Sequence, residues 1–252
     1  MKIQNKYVTT KNISFSSAKN ILQSARDWDK FYATNIPSSL ELNPVIFNYI
    51  GQEDKILDVG MGFGKTIFDL VKRGYRNLSG VDTNQSGISF AKETVRNFNL
   101  EGNFKFLTGN ANNLPFENNS QNAVITQAFW TTIVDNKARQ SVINEINRVL
   151  KNKGVLYIAD FGQTPHIQRY RNRYETGRAK GYDYGTFEVI NEKSGELEYL
   201  AHHYTKEEFS KLLKNAGFRT ENYIISPVQT RSGNVIDGHT IIARKISEIN
   251  KD

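Results

Sequence analysis

Between Lys55 and Lys65 the chain reads Ile56-Leu57-Asp58-Val59-Gly60-Met61-Gly62-Phe63-Gly64, an apolar run broken by one acid and followed by three glycines at alternate positions. Glycines so spaced let the backbone turn sharply and bring bare main chain against a ligand, the device of a nucleotide cradle. Two familiar cradles fail on spacing. A phosphate-binding P-loop needs glycine five residues before Gly64-Lys65-Thr66, and that position is Val59. A dinucleotide fingerprint needs G-x-G-x-x-G, and Lys65 stands where its third glycine should fall. Downstream, Asp82 closes Gly80-Val81-Asp82, and a carboxylate there can accept both hydroxyls of a ribose. His202 and His203, two of only four histidines, are the candidates for proton transfer. Neighbours on a strand point to opposite faces. If Leu197, Tyr199 and Ala201 are the inward face, His203 enters the pocket and His202 does not. Adjacent histidines on a strand do not converge on one ion, and cysteine is absent, so no metal site, disulfide or Cys nucleophile is expected.

The elements that must position these residues alternate in type. Short apolar runs at Lys55–Val59, Leu78–Asp82, Phe104–Leu107, Ala123–Thr126 and Val155–Ala159 read as buried strands. Amphipathic stretches at Thr66–Arg73, closed by Gly74, and at Ile88–Phe98 and Ala138–Leu150 read as helices between them. A helix at Lys206–Asn215 and strands near Tyr223–Val228 and His239–Ala243 complete the pattern. It predicts an α/β fold, a mostly parallel sheet with helices on both faces. The texture changes at 162–203, where Phe187 and Val189 face Leu197, Tyr199 and Ala201 across a turn at Glu192-Lys193-Ser194-Gly195, predicting a hairpin. Residues 14–48 predict one or two helices carrying Phe15, Ile21, Leu22, Trp28, Phe31 and Tyr32, with a break at Pro37.

With these residues in order, the sequence resembles the class I methyltransferases that depend on S-adenosylmethionine (SAM). Their D-x-G-x-G-x-G turn matches Asp58, Gly60, Gly62 and Gly64, and their second acid matches Asp82. Gly109-Asn110-Ala111 with Leu114-Pro115-Phe116 resembles the motif that flanks the adenine, with Asn110 in place of the usual Asp. Gln127-Ala128-Phe129-Trp130 falls where the family places residues between cofactor and acceptor. The resemblance covers about 50–161 and 204–245 and is closest to the ubiquinone and menaquinone methyltransferase branch. It implies a Rossmann-like, seven-stranded sheet with SAM held by Asp58, Gly60, Gly62, Gly64, Asp82, Thr83, Asn110, Ala111 and Gln127. For Asp58 two roles stand open, capping the turn through its amides or meeting the methionine amine. Residues 50–161 would form the core, 204–252 its C-terminal part, 162–203 an inserted cap, and 1–49 a helical lid. Candidate acceptor contacts are Tyr32, Phe129, Trp130, Arg173, Arg178, Tyr182 and Tyr184.

Charge bears on the acceptor. The net charge of +7 is spread along the chain rather than gathered on one element, which speaks against a nucleic-acid partner. The cap is polarised: from His166 to Gly181, Arg169, Arg171, Arg173, Arg178 and Lys180 stand against Glu175 alone, a wall suited to an anionic or polar group, while 183–198 carries five acids against Lys193. The expected activity is methyl transfer to O, N or C of a small molecule. The alternatives are an RNA or protein substrate, or a non-catalytic SAM-binding role. No apolar run spans a membrane, and the expectation is a cytoplasmic monomer or homodimer. In a thermal-shift screen SAM should stabilise the protein, while NAD and ATP should not. Equal stabilisation by either would overturn the reading of the turn.

Overall fold

Helices cover the central strands from both sides, so Ile56–Val59 (β1) is buried at every position. The computed structural model describes residues 40–191, 193–230 and 233–246. Its seven-stranded sheet contains β1, Asn77–Asp82 (β2), Asn103–Thr108 (β3), Gln121–Gln127 (β4), Leu150–Phe161 (β5), Phe218–Gln229 (β8) and Val235–Lys245 (β9), in the order β3-β2-β1-β4-β5-β9-β8. β1 to β5 pair in parallel, while β9 runs antiparallel to β5 and β8. This is the Rossmann-like, mostly parallel sheet that the alternating pattern predicts. Period-two alternation divides the strand side chains between two cores. Ile56, Ile125, Tyr157 and Ile242 meet Ile67 and Leu70 of Lys65–Lys72 (α1) and Ile88 of Gln85–Asn97 (α2). Leu57, Val124, Leu156 and Ile241 meet Val142, Ile143 and Ile146 of Asn136–Val149 (α3), and Phe209 and Leu213 of Lys206–Asn215 (α5).

Local chemistry sets the helix ends. Asn84 and Asp135 accept from the amides of Gly87 and Ala138. Thr205 and Glu208 form a reciprocal capping box at the start of α5. The C-terminal end of α3 is met from afar: Lys245 at the end of β9 is buried, and its Nζ donates to the carbonyls of Asn147 and Leu150 and to Asn119 Oδ1.

Between β5 and α5, residues 162–203 form a helix, Gln168–Ala179 (α4), and a two-stranded antiparallel sheet of Thr186–Ile190 (β6) and Leu197–His202 (β7). The register pairs Phe187 with Ala201 and Val189 with Tyr199, as the alternation predicts, but Leu197, expected on the same inward face, is exposed beyond a register shift at Val189/Ile190. The sequence reading has no counterpart for α4. Its buried stripe is Tyr170, Tyr174 and Gly177, three positions among charged residues. Gly177 is obligatory there, since a Cβ would stand 2.0 Å from the Thr186 carbonyl oxygen. At the other end, the helix expected up to residue 48 is a 3-10 turn over Pro44–Asn48, started by Asn43. The rest of that expectation, with Trp28 and Tyr32, lies outside the described residues. Lys245→Met should destabilise the fold by about 1–3 kcal/mol in urea unfolding, because it strands buried carbonyls. A change within a few tenths would show that these bonds contribute nothing net.

Candidate active site

The carboxyl ends of β1, β2 and β4 meet at one edge of the sheet. There Gly60, Gly62 and Gly64 adopt φ of +79°, +52° and +85°, the left-handed region that glycine enters without steric cost. Gly60 also answers to its neighbour, since a Cβ on it would lie 2.5 Å from the Phe129 ring. The turn is tied down from β2: Asp82 Oδ2 accepts from the Gly62 amide at 2.7 Å and Oδ1 from the Asn84 amide at 2.8 Å. The Gly109 amide donates to the Asp82 carbonyl, which brings Asn110 to the same edge. Asn110 Oδ1 accepts from the Asn112 amide, Ala111 is buried, and Thr83 lies half-buried between Asp82 and the start of α2.

Asp58 behaves differently. It is buried and its carboxylate makes no hydrogen bond among the described residues; the side-chain bond to the turn comes from Asp82. Burial, reinforced by the charge of Asp82, pushes its pKa up to about 8. Nearby, Gln127 Nε2 and Lys65 Nζ both donate to the Leu40 carbonyl, which fastens the segment before the 3-10 turn across the ends of β1 and β4. Gln127 Oε1 is buried with no partner among the described residues. The cradle fits a cationic nucleoside. It offers left-handed glycines with open main chain, an unpartnered buried acid, a second carboxylate and a stranded acceptor.

The remaining predicted residues separate into groups. Phe129 stays half-buried beside Gly60, whereas Trp130 is fully buried with its Nε1 bonded to Thr126 Oγ1. His202 and His203 do face opposite ways. His202 bonds Thr186 Oγ1 and Glu208 and links the hairpin to α5. His203 sits among Phe161, Tyr170, Tyr174 and Phe187, its Nδ1 2.8 Å from the Tyr174 hydroxyl, and burial holds its pKa well below the ordinary imidazole value. Arg173 and Tyr182 line a cleft of about 240 Å³ between α4 and β6, together with Lys180 and Phe187. Arg178 and Tyr184 are not part of it: Arg178 pairs with Glu175, and Tyr184 packs on Tyr174. Sequence reasoning passed over Tyr174 as a partner for His203, and over Asp160. The helical spacing of Tyr170, Tyr174 and Gly177 was the available signal for the first.

Comparison with known proteins bears on this geometry. A family model described as a methyltransferase domain matches residues 50–217. A SAM-dependent methyltransferase structure from Methanosarcina mazei is 36% identical, covering 83% of this chain and all of that one, with a TM-score of 0.79. The chain is a class I SAM-dependent methyltransferase. Relatives include a carboxy-S-adenosyl-L-methionine synthase of Nautilia profundicola, 24% identical over 75% of this chain and 78% of that one. Another is the ubiquinone/menaquinone biosynthesis C-methyltransferase of Rhizobium meliloti, 30% identical over 67% and 66%. Among the described residues no helix is long and apolar enough to cross a membrane.

The state of Asp58 gives a signed pH expectation. Its folded pKa lies above the unfolded value of about 3.9, so the native state holds the extra proton. The stability it contributes is full below about pH 4 and is lost as pH rises through about 8. At pH 8 Asp58→Asn should therefore raise the melting temperature of the ligand-free enzyme, yet weaken binding of S-adenosylhomocysteine (SAH) about tenfold or more by calorimetry. Lower stability with unchanged affinity would make Asp58 a structural acid.

Proposed function

We propose that the enzyme methylates a small acceptor bearing an anionic group, received between the glycine turn and the 162–203 segment, which acts as a cap. One observation carries this reading. Arg173 is half-buried and stacked on Phe187 at 4.3 Å, and it meets no carboxylate among the described residues. Among the described residues its one hydrogen bond is a 3.5 Å contact to the Glu188 carbonyl. A guanidinium partly withdrawn from water and left unpaired is a seat for a carboxylate or similar anion. The Glu188 carboxylate in the same cleft is already engaged by Lys180 and Tyr182.

Ring contacts lead from that seat to the end of β5, and a separate contact lies at the glycine turn. Phe187 touches both Arg173 and His203, His203 touches Phe161 at the end of β5, and Phe129 lies against Gly60. Residues 50–161 and 204–252 are read as the cofactor-holding core and 1–49 as the lid. In that core Asp58 would meet the methionine amine, Asp82 the ribose, and Asn110, Ala111 and Thr83 the adenine side, with Gln127 closing the pocket. When bound, SAM supplies an electrophilic sulfonium methyl. The protein's share is to align the acceptor lone pair and exclude water. His203 serves here as a donor. The Tyr174 hydroxyl accepts from the Thr164 amide at 3.3 Å; when it also donates to His203 Nδ1, the neutral ring carries its proton on Nε2. A neutral ring so held orients an acceptor oxygen better than it removes a proton. The unpaired cation within a cap argues for a free small acceptor rather than nucleic acid. A cytoplasmic monomer or homodimer fits that use.

SAH release should be screened across small carboxylates and phenolates against their neutral analogues, with RNA as a control. The anionic series should be turned over, and Arg173→Ala should raise KM for it about tenfold or more while SAM affinity holds. Preference for neutral acceptors or RNA, or equal loss of both affinities, would contradict the proposal.

A further inference from the structure

The turn that follows β4 carries Phe129, and it is held in an uncommon shape. Ala128 has φ of +50°, which a non-glycine residue adopts only where its surroundings impose it. Those surroundings are specific. Asp160, fully buried near the end of β5, accepts from the Trp130 amide at 2.7 Å, the Thr131 amide at 3.3 Å and its neighbour Phe161 at 2.8 Å. The carbonyls of the same turn are met from the other side. The Tyr204 hydroxyl lies 3.0 Å from the Trp130 carbonyl and 3.2 Å from that of Ile133, and Arg139 Nε donates to Ile133. The product of this clamp is the place of the Phe129 ring, so near Gly60 that no Cβ could stand between them.

We infer that Asp160 is a positioning residue: through its bonds to the Trp130 and Thr131 amides it seats Phe129 on the glycine turn and so couples the acceptor side of the site to cofactor binding. The inference rests on the reading that this turn holds the cofactor. The Trp130 and Thr131 amides share Oδ2 while the Phe161 amide takes Oδ1, so the ionised carboxylate accepts all three; an amide or a protonated acid turns a donor toward one side and gives up either the Phe161 bond or the pair to the turn, with a weaker acceptor for those it keeps. Burial pushes Asp160 up to about 7 against the lowering effect of these bonds, so the clamp loosens as pH falls through neutrality. The titratable and charged groups around it are His239, opposite in register on β9, Tyr204 before α5 and Arg139 on α3.

Trp130, whose backbone Asp160 holds, is one of only two tryptophans, so a Trp28→Phe protein reports on the clamp by fluorescence. Its emission should change with a midpoint near pH 7, and saturating SAH should move that midpoint down by about one unit, a tenfold coupling. Asp160→Asn in this background should abolish the transition and weaken SAH binding about tenfold. Phe129→Leu leaves the acid untouched, so it should keep the transition but remove its response to SAH. A midpoint that SAH does not move, or Phe129→Leu still coupled as in the parent, would overturn the inference. Failure of the parent to bind SAH at pH 8 would overturn the site reading itself, and the inference with it.

Discussion

One hydrogen bond organises the cofactor side of this enzyme, the 2.7 Å contact from the Gly62 amide to Asp82. It joins the tip of β1 to the tip of β2 and holds three successive alternate glycines in left-handed conformations. Because Asp82 caps the turn, Asp58 is left with nothing to hold among the described residues. A buried carboxylate with no donor and a like charge nearby is an unfavourable arrangement by itself. A cationic ligand is what would relieve it, so the ligand-free protein carries in its core part of the electrostatic cost that binding recovers.

The proposed acceptor side is built on different terms. Aromatic rings from α4, β6 and the end of β5 surround His203, and Arg173 lies over one of them. In the proposed function this unpaired guanidinium, beside a neutral imidazole, favours oxygen anions over amines. Phe129 stands between the two sides. It packs against Gly60 and edge-on to Trp130, whose amide Asp160 holds.

Much of this was legible in the sequence because it is periodic or punctuated. The β1 turn and Asp82 stood out by spacing, and the strands by short apolar runs. Opposite faces for His202 and His203 followed from alternation along β7. Other features have no such signature. α4 buries only Tyr170, Tyr174 and Gly177 among charges, too narrow a stripe to read beside the basic run, whose charges dominate the segment. The full burial of Trp130 and the pairing of Arg178 with Glu175 are tertiary outcomes. Asp160 looked like one more polar residue at a strand end, because backbone amides, its partners, are invisible as side-chain types. Distance in sequence likewise concealed Lys245 beneath the end of α3.

The central claim is that Asp58 is kept buried and unpartnered for the cofactor's cationic amine while Asp82 holds both the turn and the ribose. A crystal structure of the enzyme with SAH tests it most directly. The account predicts the ligand's amino group within hydrogen-bond distance of Asp58, the ribose hydroxyls on Asp82, and the bond from the Gly62 amide to Asp82 preserved. An amino group held elsewhere with Asp58 still unpartnered, or a turn that must abandon Asp82 to admit the ligand, would contradict it.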